Sequence, residues 1–264
     1  EYLAKSDLIL AVGSSLSPGR FSHGIPGAVG KKIIHCNVDE LHINKTYPTA
    51  QALIGDARFT LAALGEELSE RTSGTGRTDE NVASEIKAAR DTGMAKYREA
   101  MASDETPINP YRVYAGLMEV LDPLNSFVTH ESGNTRDQLS TVYETLIPRG
   151  FLGWGNVSTL GFSLAATLAA KIAFPERACV AVTGEAGMGY MLGNLEVPLR
   201  QKLGITIVHI SNGGFAGYGP GFWGGGHDPF THSVLGYDDV DMSKVTGELG
   251  LHAERVRETA DIVP

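Results

Sequence analysis

One strand–helix–strand unit, over residues 178–214, constrains the fold of this chain more than any other part of the sequence. An apolar run, Ala178–Thr183, leads into a glycine-rich turn, and a second run, Ile205–Ile210, leads into another. The crossover between such strands is right-handed and makes them parallel, so both turns open at the same edge of one sheet. Ligands of these sheets bind at the carboxyl ends of the strands. We therefore expect a ligand site where the two turns meet.

Further apolar runs predict more strands of the same kind, at residues 7–12, 32–38, 51–55 and 125–130. Helical periodicity or composition predicts helices over 57–68, 81–102, 111–121, 160–172 and, with a leucine stripe expected in the core, 192–203. Fully apolar strands separated by helix-sized stretches are typical of parallel sheets covered on both faces. The predicted fold class is α/β, with two domains that are each a parallel β-sheet flanked by helices.

Composition also indicates where the domains end. The stretch 70–80 is polar and glycine-containing, and two prolines mark a second boundary at 103–110. We predict a first, partial domain over 1–68, a linker and helix over 69–105, and a second domain over 106–264. Because the chain begins with Glu1 just before a strand, we expect both ends to be truncated.

Charge and composition exclude several classes of partner. The net charge is −9 and no basic cluster offsets it, which argues against nucleic acid and acidic membrane surfaces. No apolar run reaches the roughly 20 residues of a membrane helix, and no signal peptide is visible. Cys36 and Cys179 both lie in apolar runs, so we expect two buried thiols in a reducing, cytoplasmic compartment.

The two turns carry side chains suited to a hard cation. Glu185 supplies a carboxylate, Asn212 an amide oxygen, and Gly214 a backbone carbonyl in a turn that glycine permits. Three protein oxygens leave about three of the six Mg²⁺ positions for phosphate oxygens and water. The N–H groups of Ala186, Gly187 and Met188 are predicted to hold a phosphate at the start of a helix.

This pattern resembles the signature of thiamine-diphosphate enzymes, which is Gly-Asp-Gly, a spacer, and Asn-Asn or a variant. Here it reads Gly184-Glu185-Ala186, the spacer 187–210, and Ser211-Asn212-Gly213-Gly214. Three positions depart from the pattern, since glutamate replaces aspartate, alanine replaces glycine and serine replaces asparagine. Pro198 inside the following helix should also kink it.

The resemblance covers nearly the whole chain. Residues 1–68 look like the Rossmann-like central domain of the acetolactate synthase branch, and Glu131–Thr135 (ESGNT) looks like a loop of oxalyl-CoA decarboxylase and 2-hydroxyacyl-CoA lyase. The segment around Ser158 and Leu160 looks like the one that bends the cofactor, with Leu160 as the apolar buttress and the Ser158 carbonyl as a hydrogen-bond acceptor. The full set of cofactor-binding residues that the resemblance implies is Glu131, Asn134, Thr135, Ser158, Thr159, Leu160, Gly184, Ala186, Gly187, Met188, Asn212, Phe215 and Ala216, with Glu185, Asn212 and Gly214 on Mg²⁺.

The resemblance implies a thiamine-diphosphate- and Mg²⁺-dependent decarboxylase, lyase or carboligase that acts on a 2-oxo acid or on a 2-hydroxyacyl- or oxalyl-CoA type of substrate. The activating glutamate of the family belongs to a pyrimidine-binding domain, so we expect no catalytic residue here and a partner domain from the same or another chain. A homodimer or homotetramer is implied as well, and the central domain holds FAD, ADP or nothing. The alternative is a non-catalytic nucleotide-binding or regulatory module, favoured by the altered Glu185, Ala186 and Ser211.

The remaining polar side chains have simpler interpretations. The glycine-rich loop Phe215–Ser233 is predicted to be a lid over the cofactor, and its His227, Asp228 and His232 are expected to be solvated instead of binding a metal. His35 and His209 lie in apolar strands and are expected to be hydrogen-bonded core histidines. Gly13-Ser14-Ser15, after the first strand, is the candidate nucleotide contact of the first domain.

Overall fold

The computed structural model describes residues 2–17, 24–74, 81–155, 157–214 and 240–263. Two compact units divide the chain, residues 1–95 and 96–264. Each contains a parallel sheet with helices, so the predicted α/β fold class is confirmed. The domain limits at residues 68 and 105 stay predictions. Within the described ranges, no helix has the length and apolarity needed to cross a bilayer.

The first unit contains a three-stranded sheet in the order β1-β2-β3. Its elements are α1 (Tyr2–Lys5), β1 (Leu8–Val12), β2 (Lys32–Asn37), β3 (Gln51–Ile54), α2 (Ala57–Arg71) and the start of α3 (Asn81–Met101). The central strand β2 carries the best-buried side chains, Ile33, His35 and Cys36. Both neighbours of β2 pair with it in parallel, as its continuous apolar sequence predicts.

Asp56, the residue before α2, caps the N-terminus of this helix. Its Oδ1 accepts hydrogen bonds from the N–H groups of Arg58 (2.9 Å) and Phe59 (3.3 Å), which have no partner inside the helix. We expect Asp56→Ala to lower the free energy of unfolding of the chain by about 0.5–2 kcal/mol. Urea denaturation followed by circular dichroism measures this. Asp56→Asn, which keeps a capping oxygen, should retain most of the stability.

The second unit contains a four-stranded sheet in the order β5-β4-β6-β7, with every neighbouring pair parallel. After α3, its elements are α4 (Pro110–Val120), β4 (Ser126–His130), α5 (Asn134–Val142), β5 (Phe151–Leu152), α6 (Phe162–Ala173), β6 (Ala178–Thr183), α7 (Glu185–Met191), α8 (Glu196–Gln201), β7 (Thr206–His209) and α9 (Met242–Glu248). The strands β4 and β6 are central and almost wholly buried. Their carboxyl ends therefore lie side by side at one edge of the sheet.

Small residues bring α6 close to the central strands. Ala166 and Ala170 pack against Phe127 of β4 and Cys179 of β6 in one buried cluster. Alanine on the sheet-facing side of the helix leaves room for the aromatic ring, because interiors pack at crystal-like density. Cys36 and Cys179 are both buried and free, as their apolar surroundings predict.

The prediction of a single helix with a leucine stripe over 192–203 is wrong. A 3₁₀ segment, Leu192–Leu195, separates α7 from α8. Pro198 lacks the N–H that would continue an α-helix through this point, and it occupies the first turn of α8, where that N–H is not needed. The break turns the stripe, so Leu195 is fully buried whereas Leu199 is 37% exposed.

Candidate functional site

The carboxyl ends of three neighbouring strands form the candidate site. Glu131 follows β4, Gly184 and Glu185 follow β6, and Asn212 lies three residues beyond β7. Because these strands are parallel and adjacent, their following residues meet at one edge of the sheet. The edge is built by the same strand–helix–strand unit from which the sequence predicted it.

Glu185 and Asn212 are joined across this edge. Glu185 Oε1 accepts hydrogen bonds from the backbone N–H groups of Asn212 (2.6 Å) and Gly213 (2.8 Å). Asn212 Oδ1 in turn accepts from the N–H of Gly214 at 3.3 Å. Gly213 and Gly214 have φ values of 80° and 144°, which side-chain-bearing residues rarely adopt. The turn thus depends on glycine, and the carboxylate at the start of α7 holds it.

The donor set at this turn fits a magnesium ion. The carboxylate of Glu185, the amide oxygen of Asn212 and the carbonyl of Gly214 are hard oxygen ligands of the kind that Mg²⁺ selects. In the described part of the chain, no group of three His, Cys, Asp or Glu side chains is arranged to hold a metal. A metal here would therefore rely on one carboxylate with neutral oxygens and on phosphate oxygens from a ligand.

The first turn of α7 lies beside the same carboxylate. Gly184 precedes the helix, and its carbonyl accepts the N–H of Met188 at 3.0 Å. The N–H of Met188 is therefore already used inside the helix. The N–H groups of Ala186 and Gly187, which belong to the first turn, are of the kind that a helix offers to an anion.

The side chains of the loop 131–135 differ in their burial and in their hydrogen-bond partners. Glu131 is 1% exposed and Thr135 is also buried, with Thr135 Oγ1 donating to the Glu131 carbonyl at 3.2 Å. Asn134 begins α5 and is half-buried. The Glu131 carboxylate faces Ser132 and Ser163 inside the protein. This loop is thus anchored by its first and last residues.

The segment 158–160 lies next to that loop. Ser158 has a left-handed backbone (φ 58°), and its Oγ is 2.5 Å from Ser132 Oγ. Leu160 is half-buried and Thr159 is exposed. The hydroxyl–hydroxyl contact connects the two segments that the resemblance assigns to the cofactor, although neither hydroxyl was singled out from the sequence.

Other predicted residues lie away from this edge or outside the described residues. Phe215, Ala216 and the proposed lid 215–233, with its two histidines and its aspartate, lie outside the described residues.

In the first unit, the Ser14 carbonyl accepts a hydrogen bond from Asn37 Nδ2 (2.9 Å) and lies 2.7 Å from His35 Nε2. The loop after β1 is thereby fixed to β2, and its nucleotide contact stays a prediction.

His209 differs from the hydrogen-bonded core histidine that was predicted. Its Nε2 is buried and has no hydrogen-bond partner among the described residues, whereas His35 has one. Burial lowers the pKa of His209, and the nearby Glu185 carboxylate opposes that effect. Burial also lowers the pKa of His130, partly opposed by the hydrogen bond of its Nδ1 with the Glu131 carbonyl.

These two histidines make stability depend on pH. A histidine whose pKa is lower in the folded than in the unfolded chain binds fewer protons when folded. Its contribution to the free energy of unfolding is fully present above the pKa of histidine in the unfolded chain, about 6.5. That contribution is lost as pH falls toward the lower pKa of the folded chain. We expect the free energy of unfolding to decrease between pH 7 and pH 5.5, by at most about 1.4 kcal/mol per pH unit for each histidine. Urea titrations at a series of pH values test this, and His209→Gln should reduce the slope.

Sequence reasoning missed two neighbours of Glu131, which are its hydrogen-bond donor Ser163 and the closely packed Gly187. Ser163 lies in the first turn of α6 and is 2% exposed, and its Oγ donates to Glu131 Oε2 at 2.9 Å. A Cβ on Gly187 would lie 2.2 Å from Glu131 Cγ. Only the pairing of β4 with β6 brings these residues together, so no local pattern could have revealed them.

Comparison with known proteins supports the same interpretation of residues 1–64 and 131–264. The family model described as "Thiamine pyrophosphate enzyme, C-terminal TPP binding domain" matches residues 131–264. The model described as "Thiamine pyrophosphate enzyme, central domain" matches residues 1–64. The two matched segments fall in the second and the first compact unit, respectively.

Three similar proteins carry different enzyme names. A probable acetolactate synthase large subunit of Methanococcus aeolicus is 27% identical over 78% of this chain and 35% of its own length. The 2-hydroxyacyl-CoA lyase of Arabidopsis thaliana is 29% identical over 81% and 38%, respectively. The oxalyl-CoA decarboxylase of Escherichia coli is 24% identical over 80% and 37%. The chain spans little more than a third of the length of these relatives. The family model that matches residues 131–264 covers more than half of the chain, which shows that this chain belongs to the thiamine pyrophosphate enzymes.

Proposed function

We propose that this chain is the cofactor-holding part of a Mg²⁺- and thiamine-diphosphate-dependent enzyme that cleaves or forms C–C bonds. The substrate class we propose is a 2-oxo acid, or a 2-hydroxyacyl- or oxalyl-CoA. The names of the three relatives, a synthase, a lyase and a decarboxylase, support this range. The observation that carries the proposal is the junction of Glu185 with the Asn212–Gly214 turn at the edge of the parallel sheet.

The residues of this edge have distinct parts in the proposal. Glu185, Asn212 and Gly214 would hold Mg²⁺, and the N–H groups of Ala186 and Gly187 would receive a diphosphate oxygen. When bound, thiamine diphosphate supplies a nucleophilic carbon and an acceptor for the electrons of the broken C–C bond. The protein has to hold and orient that group, which is a proximity effect.

Ser158 and Leu160 would set the shape of the bound cofactor. We propose that the half-buried Leu160 side chain would pack against the central ring of the cofactor and that the Ser158 carbonyl would accept a hydrogen bond from its aminopyrimidine. The contact of Ser158 with Ser132 supports this part, because it fixes the segment against the loop after β4. A segment held in this way orients a ligand without reorganising when the ligand binds.

The rest of the enzyme belongs to the proposal as well. We propose that a pyrimidine-binding domain, from the same or another chain, completes the site within a cytoplasmic homodimer or homotetramer. The first unit would then hold FAD, ADP or no ligand. Its nucleotide candidate is the loop Gly13-Ser14-Ser15, which follows β1 at the carboxyl edge of the sheet.

Calorimetric titration tests the proposal directly. Thiamine diphosphate is titrated into the full chain with and without Mg²⁺, in the presence and absence of a pyrimidine-binding domain. We expect binding that requires Mg²⁺ and becomes tighter when the partner domain is present. Binding that ignores Mg²⁺, or no binding in any of the four mixtures, would reject the proposal.

A second candidate function rests on a specific observation. Glu185 Oε1 already accepts two backbone N–H groups, so the turn is closed by protein contacts alone. This arrangement would serve a non-catalytic nucleotide-binding or regulatory module that has kept the fold. In the same titration, ADP binding without any heat from thiamine diphosphate and Mg²⁺ would favour that alternative.

A further inference from the structure

Glu131 is a buried acid whose two carboxylate oxygens are both used by the protein. It follows β4 directly and is 1% exposed. Its Oε1 accepts the N–H of Ser132 at 3.0 Å. Its Oε2 accepts both the N–H of Ser163, at 3.3 Å, and the Oγ–H of Ser163, at 2.9 Å. Charge-assisted hydrogen bonds of this kind are among the strong ones in a protein interior.

The bonds to Ser163 make Glu131 the cap of a helix that it does not belong to. The residue before α6 is Gly161, which has no side chain with which to cap the helix. The N–H of Ser163 is one of the first-turn donors that lack a partner inside the helix. A carboxylate at this end also interacts favourably with the helix dipole. The beginning of α6 is therefore held from the end of β4.

The stem of the same side chain lies against α7. A Cβ built on Gly187 would be 2.2 Å from Glu131 Cγ and 2.7 Å from Glu131 Cδ. Real side chains do not approach this closely, so the α7 backbone touches the glutamate at the one position in the first turn that lacks a side chain. Moving or shortening Glu131 would leave this part of α7 without support.

We infer that Glu131 is a positioning residue that fixes the distance between the segment 158–163 and the first turn of α7. This inference rests on the proposed function, in which those two segments hold the ring and the diphosphate of the cofactor. In this role Glu131 needs no contact with the cofactor, because its two oxygens are bonded to Ser132 and Ser163. It acts on cofactor binding only through the segments that it connects.

The positioning role requires that both side-chain oxygens of residue 131 accept hydrogen bonds. A glutamine has one acceptor oxygen and one NH₂ donor. In either orientation of the amide, one of the two backbone N–H groups, of Ser132 or of Ser163, faces another donor. A buried donor left without a partner is costly, so one of the two connections opens in Glu131→Gln.

Hydrogen exchange with mass spectrometry tests the inference on the full chain. Peptides covering 158–164 and 184–191 should exchange about tenfold faster in Glu131→Gln than in the wild type. Peptides of α4 should be unchanged. Glu119→Gln, which removes the same charge from the exposed face of α4, is the matched control and should exchange like the wild type. Unchanged exchange of both site peptides in Glu131→Gln would overturn the inference.

Cofactor affinity provides the second measurement, under conditions in which every variant is fully folded. With saturating Mg²⁺, the Kd for thiamine diphosphate should rise about tenfold in Glu131→Gln and stay unchanged in Glu119→Gln. If Glu131→Gln does not fold, Ser163→Ala replaces it, because this variant removes the hydroxyl donor and keeps the backbone N–H. It should show the same effects on a smaller scale, and wild-type exchange and affinity in Ser163→Ala would overturn the inference.

The failures of the two proposals are distinguishable. A wild-type chain that binds no thiamine diphosphate, even with a partner domain, would reject the proposed function. The exchange comparison needs no cofactor, so it would still decide whether Glu131 holds the two segments. Normal binding by Glu131→Gln would instead reject the positioning role and leave the proposed function in place.

Discussion

Replacing Glu185 with alanine is expected to weaken Mg²⁺ binding by about a hundredfold or more, which corresponds to about 2.7 kcal/mol. Glu185 supplies the only carboxylate in the proposed donor set. It also closes the turn that carries the other two donors, since its Oε1 accepts the N–H groups of Asn212 and Gly213. The alanine variant therefore loses a ligand and the restraint on Asn212 and Gly214 together.

Glu185→Gln separates these two effects. The amide keeps an oxygen for the two N–H groups but has no negative charge, so the turn should persist while Mg²⁺ affinity falls. Glu196→Gln is the matched control, because Glu196 is an exposed acid of α8 that pairs with Arg200. Titration calorimetry with Mg²⁺, at a fixed excess of thiamine diphosphate, measures the affinities. Wild-type affinity in both Glu185 variants would show that this turn does not bind the metal.

Replacing Gly187 with alanine is expected to destabilise the chain by about 1–3 kcal/mol. The added Cβ would lie 2.2 Å from Glu131 Cγ and 2.6 Å from Thr183 Oγ1. Both neighbours are buried, so relieving the overlap requires α7 to move away from β4 and β6. On steric grounds alone, this outweighs the gain of about 1 kcal/mol that alanine offers over glycine in a helix.

Gly189 provides a control within the same helix. It is exposed, and a Cβ there would meet no atom within 4 Å. Gly189→Ala should therefore stabilise the chain by up to about 1 kcal/mol. Thermal and urea denaturation of the two variants should move in opposite directions. A Gly187→Ala variant as stable as Gly189→Ala would mean that α7 does not pack as closely on Glu131 as the structure indicates.

The sheet and the position of its ligand edge could be predicted because the relevant signals are local. The strands are short, continuous apolar runs, and a buried parallel strand needs little else. Once β6 and β7 are parallel neighbours, their common direction brings the residues that follow them to one edge. The proximity of Glu185 to Asn212 follows from these two rules without knowledge of any other contact.

The interior of the site could not be predicted, because it depends on contacts between distant segments. Nothing near Glu131 in the sequence indicated that its carboxylate would bond to Ser163, because Ser163 lies in another element. The leucine spacing over 192–203 favoured one helix with a kink at Pro198, whereas the 3₁₀ segment Leu192–Leu195 separates α7 from α8 completely. Local patterns cannot weigh such competing effects, and packing decides them.

The strand order of the second unit has a consequence for how the site forms. β4 pairs with β6, in a register that joins Ser126 to Ala178, although β5 and α6 lie between them in sequence. The long loop has to close before any of these contacts can compensate for its lost entropy. Topologies of this kind fold slowly. Because Asn212 and Gly214 follow β7, a nascent chain should acquire its ligand edge only after this turn has emerged. Binding of Mg²⁺ with cofactor would then report assembly of this sheet, and a folding intermediate without β7 should not bind them.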